Sequence, residues 1–450
     1  MKTKLESIFK AYDVRGKVGS ELTPEVAELI GKALADWLPD KGEVAVGRDM
    51  RPDSAELARA MIKGLTSQGR EVVDIGEVTS DMIYFVVGSN QLAGGAMITA
   101  SHNPGEYNGI KFCREQAKPI GQDTGLFEIR DLVAENNFLP TKTAGTIRQK
   151  DTAKDWIKHV LGFIDANKLK PLKIAVDAGN GMAGKIFPKL EPYVPFEVIE
   201  MYFDLDGTFP NHIANPLEPK NLVDIQRVIR KQKCDLGIAF DGDGDRAVLL
   251  DENGEPLSGT VLTAILAKYF LEKYPNSTII LNAICGRAAK EAIENSGGKA
   301  VRSKVGHSFI KADMRTHDAV FAGEHSGHYY FRDNFMADSG LLAAVVALYV
   351  ISLHNQKLSS LAAPYRNAYA QINETNFQVD EKETIIQALA EAFADGQQDQ
   401  LDGLTVNYPD GWLNIRPSNT EPLLRLNAEA KDEATLSQLV SKATDIIKKR

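Results

Sequence analysis

Residues 44–75 read VAVGRDMRPDSAELARAMIKGLTSQGREVVDI, and this stretch decides the fold class. It contains an apolar strand from Val44 to Gly47, a polar loop, an amphipathic helix from Ser54 to Ser67, a glycine, and a second strand from Glu71 to Ile75. A strand, a helix and a strand in this order predict two parallel strands joined by a right-handed crossover.

The same pattern recurs twice further along the chain. The second copy places a helix near Met182 between strands at Lys173 to Val176 and Phe196 to Met201. The third places a helix from Arg287 to Asn295 between strands at Thr278 to Asn282 and Lys299 to Arg302. Three such units predict three similar α/β domains with mixed, largely parallel sheets.

After Asn367 the pattern changes. The predicted elements there are a helix from Glu381 to Phe393, short strands around Thr405 and Trp412, a strand from Leu423 to Glu429, and a helix from Ala434 to Lys448. This order is typical of a smaller C-terminal α+β domain.

Composition excludes several classes of function. No apolar run approaches the ~20 residues that span a bilayer, and the N-terminus lacks the apolar segment of a signal peptide, so we expect a cytoplasmic protein with no membrane partner. A net charge of −9 argues against a nucleic-acid partner. Cys113, Cys234 and Cys285 lie far apart without metal-ligand spacing, and we expect buried, reduced thiols.

A short loop offers a candidate nucleophile. Residues Thr99 to Pro104 read TASHNP and follow the apolar run from Ala93 to Ile98. Because Asn-Pro favours a turn, Ser101 should lie on a tight loop at the end of a strand. A serine beside a histidine is often only turn chemistry, so the interpretation depends on what else lies nearby.

A second loop has the composition of a metal site. Asp241, Asp243 and Asp245 alternate with glycines between two apolar strands, and Arg246 follows them in the sequence DGDGDR. Hard oxygen ligands in this number suit magnesium or calcium. An EF-hand is excluded because Arg246 stands where that loop needs glycine; an acidic turn is the remaining alternative. Such a site could hold a phosphorylated Ser101.

A glycine-rich run supports a competing hypothesis. The segment from Asp177 to Gly184 matches G-x-G-x-x-G after a strand, and Glu200 lies where a ribose-binding acid would be. This pattern is typical of a nicotinamide-dependent oxidoreductase. Against it, Pro188 is expected to interrupt the helix that would bind the pyrophosphate, and the Ser101 and aspartate loops would be unexplained.

Two further loops suit a polar, anionic ligand. Residues 323–328 read GEHSGH, and this cluster of carboxylate, hydroxyl and imidazole suits paired hydrogen bonds to sugar hydroxyls. Residues 416–422 read RPSNTEP, which combines one guanidinium with three short polar side chains that could hold a phosphate. Polar turns are the alternative for both loops.

Together the four loops resemble the phosphohexomutases, the phosphomannomutases and phosphoglucomutases of the α-D-phosphohexomutase superfamily. The resemblance covers essentially the whole chain, one motif per domain in the family's order. It implies four domains around a central cleft, with residues 1–147 carrying the phosphoserine loop, 148–252 the metal loop, 253–366 the sugar loop and 367–450 the phosphate loop. The fold class is therefore α/β, with three similar domains and a smaller fourth.

The resemblance also implies roles for individual residues. Ser101 is the phosphorylated residue, and it is expected to act with His102, Lys111 and Arg15, while Ser101, Asp241, Asp243 and Asp245 bind the metal. The implied substrate-binding residues are Tyr12, Arg246, Gly306, His307, Glu324, Ser326, His328, Arg416, Ser418, Asn419 and Thr420. One departure concerns a lysine of some members, because this chain has Asn282 and the residues after it at that strand end.

The implied activity is reversible conversion of hexose 6-phosphate to hexose 1-phosphate, with mannose as the first expectation and glucose as the second. It proceeds through the phosphoserine and a hexose 1,6-bisphosphate, with Mg²⁺ and glucose or mannose 1,6-bisphosphate as cofactor and activator. Small hexose phosphates are the expected partners, and the oligomeric state stays open. His325 favours this branch over the glucosamine phosphomutases, which remain the alternative, with an NAD-dependent oxidoreductase and a non-catalytic sugar-phosphate-binding protein as other classes.

Overall fold

The computed structural model describes residues 2–39, 41–139, 141–418 and 423–449. The chain divides into two compact units, one of residues 1–258 and 326–361, the other of residues 259–325 and 362–450.

The helices within the described ranges are, in chain order, α1 Lys2–Ile8, α2 Pro24–Trp37, α3 Ser54–Ser67, α4 Ser80–Ser89, α5 Leu126–Glu135, α6 Ala153–Leu161, α7 Ala183–Leu190, α8 Val223–Gln232, α9 Gly259–Lys273, α10 Arg287–Asn295, α11 His307–Thr316, α12 Gly340–His354, α13 Leu358–Arg366, α14 Lys382–Ala392 and α15 Glu433–Lys448.

The strands are β1 Val14–Lys17, β2 Val44–Arg48, β3 Val72–Glu77, β4 Gly94–Ile98, β5 Tyr107–Arg114, β6 Lys118–Pro119, β7 Ile147–Gln149, β8 Leu172–Asp177, β9 Phe196–Met201, β10 Leu236–Phe240, β11 Ala247–Leu250, β12 Thr278–Asn282, β13 Lys299–Ser303, β14 Phe321–Gly323, β15 Tyr329–Phe331, β16 Ala337–Asp338, β17 Ala370–Gln371, β18 Thr375–Gln378, β19 Gln397–Asp399, β20 Leu404–Tyr408, β21 Gly411–Pro417 and β22 Leu423–Ala430.

The first sheet of the first unit has the order β1-β5-β4-β2-β3-β7, with β6 on β5. Strands β4, β2, β3 and β7 are parallel, while β5 runs antiparallel to β4 and β1. The chain passes from β2 to β3 on one side and then returns to place β4 on the other side of β2. The strand order therefore reverses between β2 and β4, which is where open α/β sheets form a ligand crevice at their carboxyl edge.

The second sheet of this unit has the order β11-β10-β8-β9. Strand β10 is parallel to β8, which is parallel to β9, and β11 is antiparallel to β10. The loop from Asp241 to Arg246 connects β10 to β11, so it also lies at the end of a fully buried strand. In the same unit β15 pairs antiparallel with β16.

The second unit contains one parallel and one antiparallel arrangement. Strand β12 lies between β13 and β14 and is parallel to both. Strands β17, β22, β21, β20 and β19 follow one another in an antiparallel sheet, with β18 also on β22. Apolar side chains of α14, α15 and this sheet form a common core, which is the α+β texture expected after Asn367.

Several predictions from the sequence are confirmed. The three predicted parallel pairs are β2 with β3, β8 with β9, and β12 with β13. All three cysteines are buried and none is in a disulfide. Within the described ranges no single helix is long and apolar enough to cross a membrane. Helices α12 and α13, which meet at a bend of 101°, have that length and apolar composition only when they are taken together.

One local prediction was wrong. Pro188 does not interrupt the helix after the glycine-rich run, because α7 continues from Ala183 through Pro188 to Leu190. Proline removes the hydrogen bond to the carbonyl four residues earlier, that of Gly184, and its ring crowds that carbonyl. Since α7 ends two residues after Pro188, this single lost bond is tolerated.

Candidate active site

Ser101 lies on a strained loop at the carboxyl end of β4. Its φ of 52° is in the left-handed region, which costs free energy for a residue with a side chain and must be held by its surroundings. The backbone N–H of Ser101 donates to Oγ1 of Thr99 at 2.9 Å. The sequence therefore predicted the position of this loop at a strand end, and the structure adds its strain.

Arg51, just beyond the end of β2, holds this serine loop. Arg51 is 3% exposed. Its guanidinium donates to the carbonyl oxygens of Ser101 at 2.9 Å, Asn103 at 2.6 Å, Pro104 at 2.9 Å and Tyr107 at 2.8 Å. Asp49 balances its charge at 3.3 Å. One planar group thus fixes four carbonyls of a single loop, as only a guanidinium can.

The aspartate loop packs directly against the serine loop. A Cβ atom at Gly242 would lie 2.4 Å from the carbonyl oxygen of Ser101, so only glycine permits this approach. On the other side, the backbone N–H of Ser80 donates to the carbonyl of Asp243 at 3.0 Å, and the Ser80 hydroxyl donates to the Asp243 carboxylate. The N-terminus of α4 therefore fixes Asp243.

The three carboxylates converge on one point beside Ser101. Oγ of Ser101 donates to Oδ2 of Asp241 at 2.8 Å. Carboxylate oxygens of Asp241, Asp243 and Asp245 all lie within 4.8 Å of one another and are buried. Oδ1 of Asp243 has no hydrogen-bond partner among the described residues. Three hard oxygen donors in this arrangement could hold a metal ion.

Two cations neutralise this acidic cluster. Nζ of Lys111 donates to Asp243 at 2.7 Å and to Asp245 at 2.5 Å. Burial alone would lower the pKa of Lys111, but these two carboxylates raise it well above its ordinary value. Nε of Arg246 donates to Asp241 at 2.8 Å, and Nη2 donates to Oγ of Ser101 at 3.2 Å. Lys111 and Arg246 therefore stay charged.

Asp241 differs from its two neighbours in its titration. Burial raises the pKa of Asp241 to about 7, although the charge of Arg246 opposes the shift. Burial acts in the same direction on Asp245, but Lys111 and a hydrogen bond from His328 hold its pKa well below the ordinary value. Of Asp241 and Asp245, Asp241 is therefore the carboxylate whose ionised form the surrounding side chains stabilise less.

His102 is a neutral hydrogen-bond acceptor. Burial, together with the charges of Arg246 and Arg15, lowers its pKa well below the ordinary value. Nη2 of Arg246 contacts Nδ1 of His102, which also lies 3.2 Å from Oγ of Ser101. Since a guanidinium can only donate, Nδ1 must be the accepting nitrogen and Nε2 carries the proton.

Arg15 approaches the serine loop from β1. Its Nε donates to Asp13 at 2.7 Å, and its Nη1 donates to the side chain of Asn103. Tyr12 precedes this pair and is half-buried. The first unit therefore brings Arg15, one of the two expected N-terminal residues, to the serine loop.

The first unit also contains the last three residues of the GEHSGH loop, Ser326, Gly327 and His328. Nε2 of His328 lies 3.5 Å from Oδ1 of Asp245, and Nδ1 of His328 lies 2.9 Å from Oγ of Ser326. Asp245, His328 and Asp338 form a second group whose ligand atoms lie within 4.8 Å. Sequence reasoning placed His328 only among the sugar contacts, whereas the structure places it beside a metal-loop carboxylate.

The second unit brings together Glu324 and the loop before α11. Glu324 is 1% exposed, and its Oε2 accepts from Nδ2 of Asn282 at 3.1 Å and from the backbone N–H of Gly306 at 3.2 Å. His307 follows as the first residue of α11. At the end of β12, Arg302 donates to the carbonyl of Asn282 at 3.0 Å.

Arg416, which is buried, belongs to a separate, partly buried charged cluster of the second unit. Its Nη2 donates to Glu374 at 2.9 Å, and Glu374 also accepts from Arg425 at 2.9 Å and from Asn427 at 3.1 Å. Two cations against one carboxylate leave a positive excess that suits a phosphate. Ser418, two residues after Arg416 in the sequence, is buried. Asn419 and Thr420 lie outside the described residues.

Four sequence profiles of one family match the chain in order. They are the phosphoglucomutase/phosphomannomutase alpha/beta/alpha domain I over residues 6–140, domain II over 154–254, domain III over 258–368 and the C-terminal domain over 374–446. The chain belongs to the phosphoglucomutase/phosphomannomutase family. The family resemblance and the fold class of three α/β domains with a C-terminal domain are thereby confirmed.

Named relatives are similar to this chain over nearly its full length. A protein named "Phosphohexose mutases" from Xanthomonas campestris pv. campestris is 40% identical over 430 residues, which cover 95% of this chain and 96% of that protein. A phosphomannomutase from Salmonella typhimurium is 40% identical over 445 residues, 97% of each chain. The crystal structure of a phosphoglucomutase/phosphomannomutase family protein from Burkholderia thailandensis has a TM-score of 0.91 at 32% identity and covers 99% of this chain and 97% of its own.

Family membership removes the basis for the dinucleotide hypothesis, and the local packing agrees. A Cβ atom at Gly181 would lie 2.7 Å from the carbonyl oxygen of Gly242, and the N–H of Met182 donates to the same carbonyl at 2.9 Å. The glycine-rich run of this family member is therefore occupied in supporting the aspartate loop.

Sequence reasoning missed the residues that hold these groups in place. They are Asp13, Asp49, Arg51, Ser80, Asn103, Glu374, Arg425 and Asn427. A signal existed for Asp49 and Arg51, because they directly follow β2 where the strand order reverses. Nothing in the local sequence distinguishes Glu374, whose partners come from strands far along the chain.

Proposed function

We propose that this protein interconverts hexose 6-phosphate and hexose 1-phosphate through a phosphoserine at Ser101. The observation that carries the proposal is the contact of Ser101 Oγ with Asp241 at 2.8 Å inside a buried cluster of three carboxylates. A hydroxyl among carboxylates is a poor place for negative charge unless a divalent cation is bound. The same arrangement with a cation suits a phosphorylated serine.

The transfer step follows from the residues around Ser101. The bond between phosphorus and Oγ of Ser101 breaks while a hydroxyl oxygen of the sugar phosphate bonds to phosphorus, giving a hexose 1,6-bisphosphate. Lys111, protonated because of its raised pKa, can return a proton to Oγ. His328 is the candidate to accept the sugar proton, because Asp245 would stabilise its charged form.

The remaining residues position groups and stabilise charge, which is most of what phosphoryl transfer requires. Magnesium bound by Ser101, Asp241, Asp243 and Asp245 would neutralise charge on the phosphoryl group. Arg246 and Arg15 would contact the phosphate from the serine loop side. Neutral His102 would hold the guanidinium of Arg246 toward Ser101.

The second half of the cycle reverses the first. The bisphosphate turns end for end and returns its other phosphate to Ser101. Arg416, Ser418, Asn419 and Thr420 would bind whichever phosphate is not transferred, and Glu324 and Ser326 would bind sugar hydroxyls, with Tyr12, Gly306 and His307 as further substrate contacts. Glucose or mannose 1,6-bisphosphate would reload Ser101 when the intermediate is lost.

Mannose is the substrate we propose first, with glucose second. Relatives from Salmonella typhimurium and Escherichia coli are named phosphomannomutases, and His325 is the residue that separated this branch from the glucosamine phosphomutases. The domain boundaries after residues 147, 252 and 366 and a cytoplasmic location stay predictions.

A coupled assay that compares three substrates tests the proposal. Mannose 1-phosphate, glucose 1-phosphate and glucosamine 1-phosphate are each supplied with glucose 1,6-bisphosphate and magnesium. We expect the highest kcat/KM for mannose 1-phosphate and a lower but measurable value for glucose 1-phosphate. A preference for glucosamine 1-phosphate would assign the chain to the glucosamine phosphomutases. If none of the three substrates is converted, the chain would be a non-catalytic sugar-phosphate-binding protein.

A further inference from the structure

The glycine-rich run from Asp177 to Gly184 supports the aspartate loop on one side and contacts a second loop on its other side. This second loop, residues 202–215, follows β9 and contains neither helix nor strand. It is bound to the glycine-rich run and also packs against the serine loop. We call it the bridging loop.

Asn180 makes four hydrogen bonds to the bridging loop. Its backbone N–H donates to the carbonyl of Tyr202 at 2.8 Å, and its carbonyl accepts the N–H of Asp206 at 3.0 Å. Its Nδ2 donates to the carbonyl of Asp204 at 2.9 Å, and its Oδ1 accepts from Nδ2 of Asn211 at 2.9 Å. Because a carbonyl can only accept, the bond to Asp204 fixes the orientation of the Asn180 amide. All four polar groups of Asn180 are therefore bound to one loop.

A second contact holds the far end of the bridging loop. Nε2 of His212 lies 3.1 Å from Oδ2 of Asp177, which is 1% exposed. A Cβ atom at Gly179 would lie 2.9 Å from Cβ of Ala214, so the backbones approach closely only because residue 179 is glycine. The glycine-rich run thus binds the bridging loop at both of its ends.

The middle of the bridging loop lies against Arg51. A Cβ atom at Gly207 would lie 2.5 Å from Cα of Arg51. The ring of Phe209 covers the guanidinium of Arg51, whose Cζ lies 5.3 Å from the ring centroid. The edge of this guanidinium donates to the carbonyls of the serine loop. Phe209 therefore restrains the face of a group whose edge holds Ser101.

Phe209 needs support to stay in this position. Its φ of 54° is in the left-handed region, which costs free energy for an aromatic residue and persists only when the surroundings hold it. Asp206 and Asn211, which flank Phe209 in the chain, are both bound by Asn180. The restraint that Asn180 places on the bridging loop is thereby transmitted to Phe209.

We propose that Asn180 is a positioning residue for phosphoryl transfer at Ser101. It holds the bridging loop, Phe209 of that loop restrains the guanidinium of Arg51, and Arg51 fixes the carbonyls of the serine loop. The inference rests on the proposed role of Ser101 as phosphate carrier. Because the rate of transfer depends on the alignment of the reacting atoms, a small displacement of Ser101 lowers kcat more than it weakens substrate binding.

Asn180→Gly tests the proposal on the full-length protein. Glycine readily adopts the left-handed backbone that Asn180 has at a φ of 60°, so the two backbone bonds can form and only the side-chain bonds are lost. Single-turnover transfer from radiolabelled glucose 1,6-bisphosphate gives the rate at which Ser101 is phosphorylated, and the final amount of label counts the competent protein. We expect the rate per competent protein and kcat to fall about tenfold or more, with KM changed less than about twofold.

Asn136→Gly is the matched control. Asn136 ends α5 in the same left-handed backbone conformation, with a φ of 47°, and it is exposed. This variant should keep the wild-type rate. If Asn180 had only a structural role, Asn180→Gly would lower the final amount of label and leave the rate per competent protein unchanged. That result would overturn the proposal.

Two further variants test the route from Asn180 to Ser101. Asn211→Ala, at an exposed position, removes one partner of Asn180 with little risk to folding, and we expect a smaller fall in the same rate. If Asn180→Gly does not fold, a wild-type rate in Asn211→Ala overturns the proposal. Phe209→Leu removes the ring over Arg51, so combining it with Asn180→Gly should slow transfer no further than the slower single variant. Effects that multiply would contradict the route through Phe209.

Hydrogen–deuterium exchange separates this proposal from that of the mutase activity, because it requires no turnover. In Asn180→Gly, the peptide of residues 99–107 should exchange several-fold faster than in the wild type, while the peptide of α2 keeps its rate. Failure of wild-type Ser101 to accept phosphate would overturn the proposed function, and the exchange would still show whether Asn180 holds the serine loop. Unchanged exchange of residues 99–107 would contradict that role even in an active enzyme.

Discussion

Oγ of Ser101 lies 2.8 Å from Oδ2 of Asp241, although 140 residues separate them in the chain. Two different sheets end at this contact, since Ser101 follows β4 and Asp241 follows β10. Gly242 allows the loops to approach, and Arg51 holds the carbonyls on the serine side. The contact joins the proposed phosphate carrier to the proposed metal ligands.

Activity should require a divalent metal. Asp243→Asn keeps the shape of the side chain, removes the negative charge of one proposed ligand and weakens one of the two ion pairs of Lys111. We expect kcat to fall roughly a hundredfold or more, with the far-UV circular dichroism spectrum unchanged. Asp155→Asn, an exposed change on α6, serves as the control. Undiminished wild-type turnover in excess EDTA would contradict the metal role.

Arg51 should act as a positioning residue. Arg51→Lys keeps the charge but cannot serve four carbonyls in a plane, so the serine loop should loosen. We expect slower phosphorylation of Ser101 and a lower kcat with little change in KM. Stability should fall by about 1–3 kcal/mol, since one or more buried carbonyls lose their donor.

Arg59→Lys is the matched control, because Arg59 is exposed on α3. Chemical denaturation and single-turnover phosphorylation measure the two effects. Equal phosphorylation rates in Arg51→Lys and wild type would show that the loop needs no such support.

Stability should depend on pH through Asp81. Burial raises the pKa of Asp81 to about 7, and hydrogen bonds from Ser339 and Thr79 only partly offset the shift. In the unfolded chain the ordinary pKa is about 3.9. The folded state therefore keeps a proton that the unfolded state has lost, and this stabilisation, complete below about pH 4, disappears as the pH rises through about 7.

Asp81→Asn tests this sign. Because the amide cannot lose a proton, the melting temperature of the variant should fall less than that of the wild type between pH 5 and pH 8, by a few degrees. Differential scanning calorimetry without metal measures both profiles. Parallel profiles would show that Asp81 does not titrate in this range.

Arg416 should bind the phosphate that is not transferred. Its replacement by alanine removes a charge-assisted contact of roughly 1.5–3 kcal/mol, and we expect KM to rise and kcat to fall together. Ser101 should still accept phosphate, if more slowly, and dependence on added glucose 1,6-bisphosphate should increase. Steady-state kinetics should distinguish it from Lys431→Ala, which removes an exposed ion pair. Wild-type kinetics in Arg416→Ala would exclude the phosphate clamp.

Much of this arrangement could be predicted from the sequence. The strand-helix-strand repeats predicted the parallel pairs of strands. The predicted strand ends differ from the observed ones by one or two residues, as for β3, which begins at Val72 instead of Glu71. The candidate site residues could be named from the sequence because each of their motifs is a short continuous stretch of chain. Pro188 was misjudged because one lost hydrogen bond near a helix end is cheaper than the rule for helix interiors suggests.

The supporting residues could not be predicted in the same way. Arg51 acts through backbone carbonyls more than fifty residues away, and carbonyls leave no signature in a sequence. Glu374 depends on partners from β21 and β22. The pairing of His328 with Asp245 likewise appears only when distant loops meet.

The phosphorylation state of Ser101 tests the central claim most directly. The purified protein is incubated with glucose 1,6-bisphosphate and magnesium, and intact mass and peptide mapping locate the phosphate. We expect one phosphate on the peptide that contains Ser101, and neither phosphate nor mutase activity in Ser101→Ala. Phosphate found only on another residue, or full mutase activity in Ser101→Ala, would contradict the account.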